Sequence, residues 1–178
     1  NGLEVTHLIK ENTSIDIEII DGKKEAEIIF NAHFERLLDP TNNYVYVDVG
    51  GGSTEVTILS ESKIIASKSF KVGTIRMLND LVSKEKWKSM KDWVKDQTKD
   101  LEHVETIGSG GNINKVYKLM NLDYPQPILY HEFQGFRHTI TNMSYEQRIQ
   151  TFKLNADRAD VIVPATTIYY SVMKWSDS

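Results

Sequence analysis

The sequence has 178 residues but no cysteine, only four prolines and no surplus of positive charge. Without cysteine, disulfides and zinc–thiolate centres are excluded, and no residue marks a redox compartment. No apolar run approaches the ~18 residues of a membrane-crossing helix. No secretory leader pattern stands at the start either, so no membrane partner is expected. The first residue is Asn1 rather than Met, which reads as an excised piece of a longer protein, and a cytoplasmic location is the expectation. Formal net charge is −4, whereas proteins that track a long polyanion by diffuse attraction are usually basic. Nucleic-acid binding is therefore disfavoured. Any recognition of phosphate has to be local, through backbone N–H groups and a metal ion.

What is there fits an ordinary globular chain, with 40% apolar and 26% charged residues. The length suits one domain, or one domain plus a piece of another. Leu3 to Lys10 reads as helix. The strict alternation of Ile15, Ile17 and Ile19 reads as a strand, and Ala26, Ile29, Phe30, His33 and Leu37 recur at helical spacing before Pro40. Tyr44–Val49, Thr54–Leu59 and Lys63–Phe70 read as strands, the last two as a hairpin. A helix over Lys84–Leu101 follows, with Trp87, Met90, Val94 and Leu101 in one core-facing stripe. Val104–Ile107 is a short strand, followed by a helix reaching Met120 and a loop over Asn121–Tyr130. Ser144 and Gln147 form a capping box, Asn155 opens another helix, and Pro164 marks a kink or a fresh helix start. The order of elements is α/β, with 1–40 as a separate β-α tail and 41–178 as the main domain.

Two glycine-rich turns carry the chemistry. Asp48 stands at the carboxyl end of a strand, where open α/β sheets place ligands, and runs into Gly50-Gly51-Gly52. These glycines permit positive φ and close approach of amides to an anion. Ser53 and Thr54 add hydroxyls. Asp48 and Glu55 bracket the turn and together suit Mg²⁺, or another divalent cation, completed by water and phosphate oxygens. The second turn, Gly108-Ser109-Gly110-Gly111, leads from a strand into a helix N-terminus, itself an anion-binding geometry. Either turn alone equally suits a tight connection between packed elements; the pair favours phosphate binding.

The run Tyr46-Val47-Asp48-Val49-Gly50-Gly51-Gly52-Ser53-Thr54-Glu55 resembles the signature of the exopolyphosphatase/guanosine pentaphosphatase family, within the actin-like ATPase superfamily. Four other segments are similar to the family in the same order: Ile17 to Ala26, Lys71 to Arg76, Gly108 to Ile113 and Arg158 to Ala165. The resemblance implies an actin-like, ribonuclease H-like domain with a mixed sheet flanked by helices. On that basis 41–178 is the second actin-like domain and 1–40 is the last strand and helix of the preceding one. The implied reaction is release of terminal phosphate from inorganic polyphosphate or guanosine pentaphosphate. The resemblance places the general base at Glu25, with Asp48 and Glu55 handling metal and water. Three departures stand out. Lys24 replaces an acidic residue beside Glu25, Pro164-Ala165-Thr166 lacks a glycine, and the family's first phosphate loop is missing. The chain is thus expected to hold one wall of a cleft, to need an N-terminal domain for the other, and to show little activity alone. A homodimer is a further expectation.

A non-catalytic phosphate- or nucleotide-binding regulatory module of the same fold is the competing reading, for which Lys24 leaves room. A sugar- or acetate-kinase reading is disfavoured by Glu55 and the Glu25-Ala26 context. Arg76 and Arg137 are lesser candidates for touching phosphate, His138 beside Arg137 is the one histidine to check, and Tyr169, Tyr170 and Trp175 suit packing. The five histidines lack metal-ligand spacing.

Overall fold

The computed structural model describes residues 2–20, 24, 39 and 41–178. These fall in two compact units, Asn1–Leu37 and Leu38–Ser178.

In the first unit, α1 (Gly2–Thr13) has no buried residue. Residues 14–20 form no strand. Their alternation leaves Ile15, Ile17 and Ile19 at 46–58% exposure. Period-two patterning makes a strand only where a neighbouring strand completes the hydrogen bonds, and no ladder partner stands among the described residues. The helical pattern from Ala26 to Leu37, and Glu25 with it, lies outside the described residues.

The second unit is built on β1 (Asn43–Val49), β2 (Thr54–Ser60), β3 (Lys63–Phe70) and β4 (Val104–Ser109). Their order across the sheet is β3-β2-β1-β4. The first three strands form an antiparallel meander, whereas β1 and β4 are parallel, which makes the sheet mixed. The helices are α2 (Thr74–Leu78), α3 (Lys84–Thr98), α4 (Gly111–Leu119), α5 (Tyr130–Thr141), α6 (Tyr145–Phe152) and α7 (Ala156–Ser176).

Alternation explains the sheet's faces. Val45, Val47 and Val49 of β1, with Val56 and Ile58 of β2, join Met90, Val94, Ile162 and Ile168 in one core. Tyr44, Tyr46 and Asp48 project to the opposite face. Met90 and Val94 of α3 are fully buried and Trp87 packs against the core; the helix ends at Thr98, so Leu101 packs against the core from just beyond it. Each such buried side chain contributes about 1.5–3 kcal/mol of hydrophobic stabilisation.

The longest helix corrects one expectation. Pro164 does not open a fresh helix but lies inside the 21-residue α7. The ring removes a single main-chain bond, to the carbonyl of exposed Asp160. Burial of Ala159, Ile162, Ala165, Ile168 and Val172 holds the helix together across that gap. Tyr169 and Tyr170 are buried in the same helix, and Trp175 meets Trp87 edge-on with ring centroids 5.4 Å apart. All three pack rather than bind. At α6 the capping box is present, with Ser144 and Gln147 exchanging side-chain-to-backbone hydrogen bonds.

Candidate functional site

Because β1 and β4 are parallel neighbours, the turns that follow them emerge at the same edge of the sheet. Register brings three predicted residues into one row. Asp48 lies opposite Glu55 on β2 and opposite Ser109 on β4. Directly opposed residues share a face, so both carboxylates and the Ser109 side chain point the same way.

The first turn is held from behind. The Gly50 amide donates to the Ser53 carbonyl (2.9 Å). The turn's own carbonyls accept from the opening amides of α2: Thr74 N to Gly50 O and Ile75 N to Gly51 O are both 3.0 Å. Those helix amides, otherwise orphaned, are thereby spent on the turn and do not face a ligand. The Arg76 side chain adds a bond from Nε to Gly52 O (2.8 Å). By contrast, the amides of Gly51, Gly52 and Ser53 and the Ser53 hydroxyl have no hydrogen-bond partner among the described residues. They are donors without acceptors.

The positive φ expected of the first turn's glycines is not found. None of Gly50, Gly51 and Gly52 has a positive φ; Gly110 is the one described glycine that does. The constraint on the first turn is space, and it comes from Gly73. A Cβ there would lie 2.5 Å from Gly51 O and 2.6 Å from both Gly52 C and Ser53 N. At Gly52 a Cβ would meet nothing within 4 Å.

In the second turn the glycines have separate roles. Gly108 belongs to β4 and faces the core, where a Cβ would stand 2.8 Å from Ile113 Cγ1 and 3.3 Å from Tyr169 Cε1. It packs rather than cradles an anion. Gly110 combines φ 93° and ψ 174°, a region open almost only to glycine. A Cβ on it would fall 2.8 Å from Asp48 Oδ1. Gly110 therefore lets the second turn close directly against the carboxylate of the first. Gly111 and Asn112 open α4, and their amides, with that of Gly110, have no acceptor among the described residues. The Ser109 carbonyl accepts from the Tyr169 phenol (2.7 Å). Burial pushes the Tyr169 pKa up, and the neighbouring Asp48 charge pushes in the same direction, so the phenol remains a donor.

Thr54 differs from expectation. Its side chain is fully buried and its hydroxyl donates to the Val72 carbonyl (2.7 Å). It braces the chain that carries Gly73 and has no hydrogen left for phosphate.

Asp48 is half-buried, and its pKa is raised by that burial and then by the Glu55 charge. Hydrogen bonds from Ser109 and the Val49 amide oppose the shift. Glu55 accepts from the Ser69 hydroxyl (2.8 Å). Two like charges held side by side are what a divalent cation relieves, and the donor set is the hard oxygen type that Mg²⁺ takes. The described residues contain no group of three or more His, Asp or Glu placed to hold a metal. Asp48 and Glu55 are the two carboxylates that could hold a divalent cation here, and they would supply only part of its coordination shell.

Asn112 and Arg158 join the two turns, a role that sequence spacing did not reveal. Buried Asn112 donates from Nδ2 to the Val49 carbonyl (3.0 Å), just before the first turn. Arg158 Nη1 donates to Asn112 Oδ1 (3.2 Å). Its Nη2 lies 3.2 Å from where a Gly111 Cβ would stand. The only signal in the sequence was that both residues sit inside segments already singled out, Gly108 to Ile113 and Arg158 to Ala165. Arg137 and His138 lie elsewhere: Arg137 covers the Tyr170 ring, and His138 Nε2 pairs with Asn142 (3.1 Å).

The chain is 37% identical over 108 residues to the bifunctional 3-dehydroquinate synthase/phosphatase of Fusobacterium nucleatum, covering 54% of this chain and 16% of that protein. It is 40% identical over 60 residues to exopolyphosphatase 2 of Mycobacterium tuberculosis, covering 34% of this chain and 18% of that one. In both cases the match spans less than a fifth of the relative's length. Two crystal structures share the fold. The Aquifex aeolicus Ppx/GppA family member superposes at a TM-score of 0.74 with 18% identity, over 100% of this chain and 63% of its own. An exopolyphosphatase from Cytophaga hutchinsonii gives 0.75 and 21%, over 98% of this chain and 63% of its own. The family model described as the Ppx/GppA phosphatase family matches residues 1–175, and the chain belongs to that family.

Proposed function

We propose that this chain supplies one wall of the cleft of a phosphoanhydride hydrolase that releases terminal phosphate from inorganic polyphosphate or guanosine pentaphosphate. The observation that carries the reading is the set of unpartnered amides on two adjacent turns, those of Gly51, Gly52 and Ser53 and those of Gly110, Gly111 and Asn112, beside the Asp48–Glu55 pair. Amides without acceptors on two neighbouring turns suit an anion with several oxygens. Family membership supports a phosphatase, and the similarity to exopolyphosphatase 2 favours chained phosphate as the substrate class.

In this reading the turn amides and the Ser53 hydroxyl bind the non-bridging oxygens of the terminal phosphate and spread its charge. A divalent cation between Asp48 and Glu55 would supply further charge neutralisation. Water attacks the terminal phosphorus, and the bond from phosphorus to the bridging oxygen breaks. The shortened chain leaves with that oxygen, and orthophosphate is released. The water's proton passes to a carboxylate; the family resemblance assigns that base to Glu25, which lies outside the described residues. Little covalent chemistry is asked of the protein, since positioning and electrostatics dominate phosphoryl transfer. The remaining phosphate contacts come from a preceding domain, and 1–40 with 41–178 divides the chain at that junction. The isolated chain turns over slowly if at all.

The test is release of orthophosphate by the full-length protein with Mg²⁺, on polyphosphate and on guanosine pentaphosphate, beside Glu25→Gln. Turnover by wild type and loss of at least about a hundredfold in the variant are expected for a general base. Equal turnover by both removes Glu25 from that role. No turnover by wild type on either substrate replaces hydrolysis with a binding module.

A further inference from the structure

A groove rich in cationic side chains lies in the same unit, formed by α3, α5 and α7. A groove of about 820 Å³ is lined by Lys84, Lys88 and Lys91 of α3 and by Arg137 of α5, with Asp80 and Asp92 as its acidic residues. Lys84, Lys88 and Lys91 stand at helical spacing i, i+4 and i+7, so they share one face. Lys88 is neutralised by its ion pair with Asp92. Lys84 and Lys91 have no ion pair among the described residues. Three uncompensated cations then face a single free carboxylate, Asp80, in a chain whose overall charge is −4.

Arg137 supplies the second observation. Its Nε is shielded from solvent and finds no acceptor among the described residues. Its guanidinium lies 4.9 Å above the Tyr170 ring, which fixes the side chain without satisfying its hydrogen-bond donors. The shielded Nε is itself closed to a ligand in the groove, so contact with one falls to the terminal nitrogens of the guanidinium. A guanidinium beside unpaired ammonium groups suits an anion with several oxygens, and phosphate above all. None of the residues involved belongs to the glycine turns.

We infer that the α3–α5 groove binds a phosphate-rich anion, separately from the Asp48 site and without a metal ion. The groove donors are permanent cations, whereas the glycine turns offer neutral amides beside carboxylates. Metal-free conditions therefore favour the groove over the turns.

The experiment is titration calorimetry of the full-length protein with inorganic tripolyphosphate in EDTA at low salt. Lys84→Glu/Lys91→Glu is compared with Lys63→Glu/Lys118→Glu, two exposed lysines outside the groove that impose the same change of net charge. Metal-free binding by wild type is expected, with affinity reduced about tenfold or more by the groove pair and by less than about threefold by the control pair. Arg137→Lys, checked by its melting temperature, should weaken binding in the same sense; if it fails to fold, the lysine pair decides. Absence of metal-free binding, an unchanged groove variant, or equal losses in both pairs overturns the inference. Mg²⁺-dependent phosphate release should be unchanged in the groove pair. A failure of the hydrolase reading is thereby separable, since it leaves the metal-free titration intact.

Discussion

Replacing Gly110 by alanine tests the geometry at the point where the two turns meet. The backbone there has φ 93° and ψ 174°, and an L side chain in this region costs about 1–3 kcal/mol in backbone strain. The new methyl would also fall 2.8 Å from Asp48 Oδ1, so either the turn or the carboxylate has to move. Relief by moving Asp48 disturbs its bond from Ser109 and its place beside Glu55. Taking about 2 kcal/mol as the strain and ~2–4 °C of melting temperature per kcal/mol for a chain of this size, the expected loss is about 4–8 °C. Gly52→Ala is the matched control, because its Cβ would meet nothing within 4 Å and its φ is not positive. Thermal melts of both variants, followed by Mg²⁺ titration, make the measurement. A Gly110→Ala protein that melts within about 1 °C of wild type, or a Gly52→Ala protein equally damaged, refutes the reasoning.

Other perturbations separate bracing residues from those that face a ligand. Gly73→Ala places a methyl 2.5–2.6 Å from three backbone atoms of the first turn, which overpacking makes worth about 3 kcal/mol; chemical denaturation should show it, although Gly73 touches no phosphate. Thr54→Val leaves the Val72 carbonyl without its donor at a cost of about 1–3 kcal/mol, with phosphate affinity of the folded protein unchanged. For Asp48 the raised folded pKa means that the native state binds the proton more tightly than the unfolded chain does. Stability therefore falls as pH rises from the unfolded value, about 4, through the raised folded value, and the ionised carboxylate is a net strain above it. Asp48→Asn should accordingly be more stable than wild type at neutral pH without metal, should flatten that pH slope, and should lose the stabilisation that Mg²⁺ gives wild type. Melting curves across pH with and without Mg²⁺ check all three.

The sheet was legible because alternation in Tyr44–Val49 and the β-branched runs after it are local properties, and the observed strands begin and end close to the expected bounds. The α3 stripe was legible for the same reason. Ile15 to Ile20 misled because alternation says nothing about whether a partner strand is present. Pro164 misled because its local cost is one hydrogen bond, which the buried face of α7 outweighs. At the site, both turns and both carboxylates could be located from residue type and order. Their division of labour could not. Thr54 turns inward because of its contact with Val72, eighteen residues on. Gly108 and Gly110 look alike in sequence but lie on opposite sides of the strand end. Gly73, Asn112 and Arg158 act through contacts across 20 to 63 residues, which periodicity does not encode.

The most direct measurement follows the amides themselves. In the ¹⁵N-labelled full-length protein titrated with a non-hydrolysable chained-phosphate analogue and Mg²⁺, the amide signals of Gly51, Gly52, Ser53, Gly110 and Gly111 should move together along one binding curve. Gly108, packed in β4, should move little. Signals that stay still, or two turns that respond with unrelated affinities, would contradict a phosphate held jointly by both.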